Sequence, residues 1–166
     1  MLGAEQLGPD FISRPAPTDG RGALPITPVE YPVAARRQAH VLGFAGLRFK
    51  RAIIAKRPDG EIVGRSQIER NVAAFVYAPT ATSPARKLTI GSAPLPTSLE
   101  GGLRVWVVAM MVCDPLLEKP ACELAMLNIC RALKAGAPPQ TFSIGSLRCE
   151  AEWIPNTVIS LSLTKG

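Results

Sequence analysis

The chain has 166 residues, a mass of 17.7 kDa and a formal net charge of +6, which is room for one domain and little more. Hydrophobic residues make up 47% and charged residues 19% of the sequence, so the composition excludes a wholly disordered chain and a coiled coil. The low charge content leaves an unusually apolar surface, which favours self-association.

The stretch from Arg36 to Arg70 carries the whole excess of positive charge, because it holds nine basic and three acidic residues. A localised basic patch of this kind usually binds a polyanion. The alternative is a solvated face that only aids solubility. Few aromatic, Asn or Gln side chains lie nearby, so we expect binding through charge and not through base identity. The predicted polyanion-binding residues are Arg36, Arg37, Arg48, Lys50, Arg51, Lys56, Arg57 and Arg65. The sequence does not choose between anionic lipid and RNA.

Residues 1–35 contain six prolines and four glycines. These residues interrupt the sequence so often that no helical or strand periodicity is present. We therefore predict a Pro/Gly-rich arm over residues 1–38, extended or disordered, followed by one globular domain over residues 39–166. The segment 26–33 could lie along a neighbouring copy, because proline lowers the entropy lost on docking; a floppy tail is the alternative. If the segment docks in this way, Tyr31 and Pro32 belong to an oligomer interface.

From Val41 the pattern becomes strand-like. Leu47, Phe49, Ile53 and Ala55 define an apolar face, and Arg48, Lys50 and Lys56 define a basic one. Residues 58–60 (Pro-Asp-Gly) predict a turn, and residues 61–63 a returning strand. Ser66 and Glu69 then have the spacing of a capping box, which predicts a short helix through residue 76, with a strand as the alternative.

Prolines and glycines predict a long loop over residues 78–102. The β-branched, apolar run from Leu103 to Cys113 predicts a strand buried on both faces. Residues 121–135 predict a helix that ends at Gly136. Because that helix is apolar round most of its circumference, we expect it to be buried on more than one side and to contribute Leu127 to an oligomer interface.

Residues 141–153 predict a strand whose phase changes at Gly145-Ser146, which a β-bulge explains. Residues 157–163 alternate as a final strand. The fold class is therefore α+β, an antiparallel sheet with one buried helix (about 121–135) and a short second helix, preceded by a Pro-rich arm.

No catalytic, metal or cofactor site is predicted from the residues. Cys113, Cys122, Cys130 and Cys149 lie in apolar runs without zinc-type spacing, and His40 is the sole histidine. A cysteine-dependent hydrolase that uses His40 is the enzymatic alternative. The start of the chain lacks the order of a secretory signal, and the longest apolar run is half of a membrane span, so we expect an intracellular protein with reduced thiols.

In pattern, the chain resembles the matrix proteins of nonsegmented negative-strand RNA viruses. The resemblance rests on residues 41–44 (Val-Leu-Gly-Phe), residues 91–95 (Gly-Ser-Ala-Pro-Leu) and the run 103–153, and Tyr31-Pro32 is similar to a tyrosine–proline budding motif. It implies a self-assembling structural protein under the host membrane and in the virion. Its implied partners are further copies of itself, anionic lipid headgroups, RNA and a nucleocapsid protein. A small viral capsid protein or a sequence-independent nucleic-acid-binding protein is the alternative.

Overall fold

A computed structural model describes residues 22–44, 46–92, 98–154 and 158–166. Within them the chain forms three helices and one seven-stranded antiparallel sheet. The helices are α1 (Tyr31–Val41), α2 (Ser98–Cys113) and α3 (Lys119–Lys134). The strands are β1 (Ile53–Lys56), β2 (Ile62–Glu69), β3 (Val72–Ala78), β4 (Lys87–Ser92), β5 (Gln140–Ile144), β6 (Leu147–Ile154) and β7 (Val158–Lys165). The predicted α+β class is confirmed.

The strand order in the sheet is β1-β2-β3-β4-β7-β6-β5, so β1 and β5 are its two edges. Helix α2 packs on the central strands β4 and β7, while α3 packs beside it on β5 and β6, and α1 contacts α2. On each strand, every second side chain faces the helices. Examples are Leu88 and Ile90 on β4 and Leu161 and Leu163 on β7. The main core therefore lies between the sheet and the helical layer.

The apolar run that predicts a strand is instead the central helix α2. Every side chain from Val105 to Met110 is buried, because the sheet lies on one side of the helix and α1 and α3 lie against it elsewhere. A helix enclosed in this way needs no polar stripe, so its sequence is as apolar as that of a buried strand. The strand prediction is wrong for this reason.

The predicted helix after Ser66 is also wrong, and the strand alternative is correct. Strand β2 continues to Glu69 and pairs with β3 through a short turn at residues 70–71. Its core-facing positions alternate, with Ser66 and Ile68 buried. The predicted loop 78–102 is also wrong in part, because it contains β4 and the start of α2. Residues 93–97 of that loop lie outside the described part of the chain.

Part of the predicted arm belongs to the packed domain. Residues 1–21 lie outside the described residues, but Leu24, Ile26 and Tyr31 are buried, and α1 occupies residues predicted to be extended. Proline does not prevent this helix because Pro32 lies in its first turn, where no backbone N–H is needed. The chain before α1 crosses β2 so closely that a Cβ on Gly64 would lie 2.8 Å from Pro28 Cβ.

Three local predictions are confirmed. The turn at residues 58–60 joins β1 to β2. Strand β7 has the predicted alternation, because Ile159, Leu161 and Leu163 belong to the main core, whereas the buried Ser160 and Ser162 between them do not. Helix α3 ends before Gly136, whose φ of +88° closes the helix. The burial predicted on more than one side of this helix is wrong, because Leu124 and Leu127 are exposed and the helix enclosed by the core is α2. The phase change at Gly145-Ser146 is a two-residue hairpin turn between β5 and β6 and not a bulge. Phe142 and Cys149 therefore pair and share one face of the sheet.

Candidate polyanion-binding edge

The basic stretch lies along one edge of the sheet. Residues 46–52 run towards β1, with Leu47 and Phe49 buried and Arg48 and Lys50 exposed between them. The Lys50 N–H donates to the Gln67 carbonyl at 2.9 Å, which holds this segment against β2. The alternation predicted for residues 47–50 is thus confirmed, although these residues form no regular strand.

Helix α1 brings Arg36 to the same edge, and Arg37 is the next residue of that helix. Arg36 Nη2 donates to the Phe49 carbonyl oxygen at 2.7 Å, and both Arg36 and Arg37 are exposed. One hydrogen bond does not neutralise a guanidinium, which carries five donors. We define the basic edge as the six exposed cations in this region, Arg36, Arg37, Arg48, Lys50, Arg51 and Lys56.

Two predicted members of the site do not belong to it. The Arg57 side chain is 9% exposed and forms ion pairs with Glu61 at 3.1 Å and Asp59 at 3.5 Å. Arg65 is half-buried on the outer face of the sheet, and its Nη2 donates to Gln67 Oε1 at 3.0 Å. Alternation along a strand shows which residues share a face, but it does not show which charges find partners within the chain.

The carboxylate that holds Arg57 is itself shared. Glu61 also lies 3.5 Å from Arg86 Nη1. Burial raises the pKa of the Glu61 carboxyl, and the nearby guanidinium groups of Arg57 and Arg86 act in the opposite direction. These charges form an internal network at the end of the β1–β2 hairpin, so they are not available to an external polyanion.

Two isoleucines interrupt the basic edge. Ile53 is 68% exposed and Ile54 is 39% exposed, between the exposed cations Arg51 and Lys56. The apolar face predicted to continue from Leu47 and Phe49 into Ile53 and Ala55 is therefore wrong, because β1 is an edge strand with all four residues exposed. The sequence carries no signal for this exposure, since it depends on which strand ends the sheet.

Aromatic side chains are not available for base stacking at the edge. Phe49 is buried and contacts Tyr31 edge-to-face, with ring centroids 6.5 Å apart. Phe44 is half-buried and is covered by Lys119 Nζ, 4.8 Å from the ring centroid, and by Arg104, 5.6 Å away. Within the described chain, the basic edge thus exposes cations and aliphatic groups but no aromatic ring.

The cysteines are poor nucleophiles in this fold. All four are buried, and burial raises the pKa of Cys149 to about 12 and those of Cys122 and Cys130 to about 11. The pKa of Cys113 is raised furthest, first by burial and then by the neighbouring Cys149. A catalytic thiol needs a lowered pKa, so nothing here favours the hydrolase with His40. The described residues contain no cluster of metal ligands.

The residues predicted for an oligomer interface separate into two groups. Tyr31 and Pro32 are buried within the chain, so neither a surface contact nor a tyrosine–proline docking motif is accessible there. That prediction is wrong because α1 turns this apolar pair towards α2 and Phe49. Leu127 is 40% exposed on α3 and stays a candidate.

Among the helices of the described residues, none has the length and apolar character needed to cross a membrane. Comparisons with protein families, with curated proteins and with solved structures found no match for this chain.

Proposed function

We propose that this chain is a non-enzymatic, self-associating structural protein of the matrix type that binds the surface of anionic membranes through the basic edge. The observation that carries the proposal is the exposure of Ile53 and Ile54 between Arg51 and Lys56. Cations beside exposed aliphatic side chains match the two layers of a membrane surface, which are anionic headgroups above apolar chains.

The electrostatic part of this binding comes from the six cations of the basic edge. Each Lys or Arg close to an anionic leaflet contributes about 1 kcal/mol at physiological salt. The cations lie on one edge, on α1, on residues 46–52 and on β1, so several can approach a flat surface together. Arg57 adds little because its charge is already paired with Asp59 and Glu61.

The apolar part comes from the two isoleucines, because a buried aliphatic side chain contributes about 1.5–3 kcal/mol relative to an exposed one. Ile53 and Ile54 lie on opposite faces of β1, across from Arg65 and Gly64 of β2, so both reach the membrane when the edge of the sheet faces it. Partial insertion in that orientation recovers a fraction of the energy. Lipid is favoured over nucleic acid here, since exposed isoleucines contribute nothing to phosphate contacts, and the aromatic platforms typical of single-strand binding are buried or covered.

Flotation with liposomes tests the proposal. We expect the protein to float with vesicles of phosphatidylcholine and phosphatidylserine and not with phosphatidylcholine alone. The bound fraction should fall as salt rises above about 0.15 M, because charges at the surface become screened. A gel-shift series with single-stranded RNA is run beside it. Binding to RNA without binding to the anionic vesicles would replace the proposal with a nucleic-acid-binding function, and binding to neither would overturn both.

A further inference from the structure

Helix α3 presents an apolar face to solvent. Its inner side is buried through Cys122, Met126, Cys130 and Leu133, where the helix packs on α2, β5 and β6. On the opposite side, Leu124 is 59% exposed and Leu127 is 40% exposed. The other exposed residues of α3 are Pro120, Ala121, Asn128, Arg131 and Lys134, and Glu123 is half-buried. A helix that keeps two leucines outward has a face suited to a further contact.

Charge is arranged along this face in a specific way. Glu123, Leu127 and Arg131 are spaced four residues apart, so they form one ridge along the helix surface, with an acid at one end, a leucine in the middle and a base at the other. Neither Glu123 nor Arg131 has an ion pair within the described chain. Two copies of this ridge are therefore complementary in charge when they run in opposite directions.

We propose that a second copy of this chain binds here, with the two α3 helices antiparallel and a two-fold axis passing at Leu127. In that register, Glu123 of each copy lies level with Arg131 of the other, since both residues are four positions from the axis. The leucines meet at the centre, and the two ion pairs flank them. A parallel arrangement would place like charges together, so the charge order selects the antiparallel one.

This interface deepens the proposed function, because it rests on the self-association that the function includes. Sixteen residues make a helix about 24 Å long, so one helix pair buries a small interface at the low end of the specific range. We therefore expect a reversible dimer that forms as the concentration rises. Lys119 at the start of α3 contacts Leu42 and Phe44 beside the basic edge. The ridge from Glu123 to Arg131 lies further along the helix, which packs on β5 and β6 at the other end of the strand order from β1.

Sedimentation equilibrium of the full chain, without lipid, tests the interface. Glu123→Arg alone and Arg131→Glu alone should each raise the dimer dissociation constant by roughly tenfold, since each reverses the sign of both flanking pairs. An equimolar mixture of the two variants should recover a dimer as stable as that of the wild type. In the mixture, one copy is basic at both positions and the other is acidic at both, so every cross-copy pair is again opposite in charge.

Glu118→Arg is the control, because it makes the same change in charge at an exposed acid outside the ridge and should leave the dissociation constant within about twofold. Circular dichroism checks that each variant folds, and recovery in the mixture excludes a folding defect as the cause of the loss. A wild type that stays monomeric, single variants that match it, or a mixture that recovers nothing would each overturn the interface. Vesicle binding by the wild type is measured separately, so its result does not depend on this one.

Discussion

The carboxylate of Asp114 accepts hydrogen bonds from both the backbone N–H and the side-chain hydroxyl of Ser146, each at 2.9 Å. Asp114 follows α2, and Ser146 lies in the β5–β6 turn, so the contact joins the helical layer to the end of the sheet. The same carboxylate accepts the Leu116 N–H at 3.1 Å. A Cβ on Gly145 would lie against Asp114 Oδ2 and Leu117, which explains why the turn carries glycine.

We predict that Asp114→Ala lowers the free energy of unfolding by about 2 kcal/mol at pH 7, because hydrogen bonds to a buried charged acceptor are lost. The bonds from Ser146 hold the pKa of Asp114 below its ordinary value in the folded state. The contribution is therefore fully present above the unfolded pKa of about 4 and is lost as the pH falls through the folded pKa. Urea unfolding of both proteins at pH 7 and at pH 3 measures this difference.

Glu118→Ala serves as the control for Asp114→Ala, since Glu118 is exposed and its side chain makes no capping hydrogen bond. It should change stability by less than about 0.5 kcal/mol. An Asp114→Ala deficit that is equally large at pH 7 and at pH 3 would show that the ionised carboxylate is not what stabilises the turn.

Tyr31 gives a second prediction, about the core. Its ring is fully buried and its hydroxyl has no hydrogen-bond partner in the described structure. Removing a buried hydroxyl without a partner leaves nothing unsatisfied, so Tyr31→Phe should keep or raise the free energy of unfolding, by up to about 1 kcal/mol. Tyr31→Ala should lower it by about 3–5 kcal/mol because it leaves a cavity. Equal stability of the wild type and Tyr31→Ala in thermal unfolding would contradict the buried position.

Features that depend only on neighbouring residues are the ones that the sequence predicts well. The turn at residues 58–60, the end of α3 at Gly136 and the alternation of β7 are local patterns, and each is found where predicted. The run from Val105 to Met110 is different, because its helical form depends on being enclosed by the sheet and by two other helices. Hydrophobic periodicity alone cannot distinguish an enclosed helix from a buried strand.

The features of the basic edge also divide into those that follow from neighbouring residues and those that depend on distant ones. The outward direction of Arg48 and Lys50 follows from local alternation with Leu47 and Phe49. The exposure of Ile53 requires knowing that β1 ends the sheet, and the pairing of Arg57 requires the position of Glu61 across the hairpin. The sequence therefore predicts the charge of the edge but not its apolar part.

A third prediction concerns the thiols. With a pKa of about 11 for Cys122 and Cys130, only about one thiol in a thousand is ionised at pH 8. Together with burial, this should make all four cysteines of the native protein react slowly with a chromogenic disulfide reagent, whereas the chain in guanidinium should react at once. A single native cysteine that reacts within seconds at pH 6 would instead support the hydrolase alternative.

The isoleucines of the basic edge give a fourth prediction. Ile53→Ser with Ile54→Ser should lower the affinity for anionic vesicles by roughly tenfold or more, because the apolar contribution is removed. RNA binding, if any is seen, should stay unchanged. Both side chains are exposed, so the fold should tolerate the change. Leu116→Ser, at a residue 92% exposed on the α2–α3 connection, is the control and should leave vesicle binding as it is. Equal losses in the two proteins would contradict a specific role for the edge.

The most direct test of membrane binding is flotation of a charge-neutralised edge. Arg48→Gln, Lys50→Gln and Lys56→Gln are combined, and the matched control combines Lys134→Gln, Arg148→Gln and Lys165→Gln, which removes equal charge elsewhere. At about 1 kcal/mol for each cation at the surface, the edge variant should bind phosphatidylserine vesicles roughly a hundredfold more weakly than the wild type. The control should change by less than about threefold. Losses of the same size in both variants would mean that net charge alone drives binding, and that the basic edge is not the membrane-binding surface.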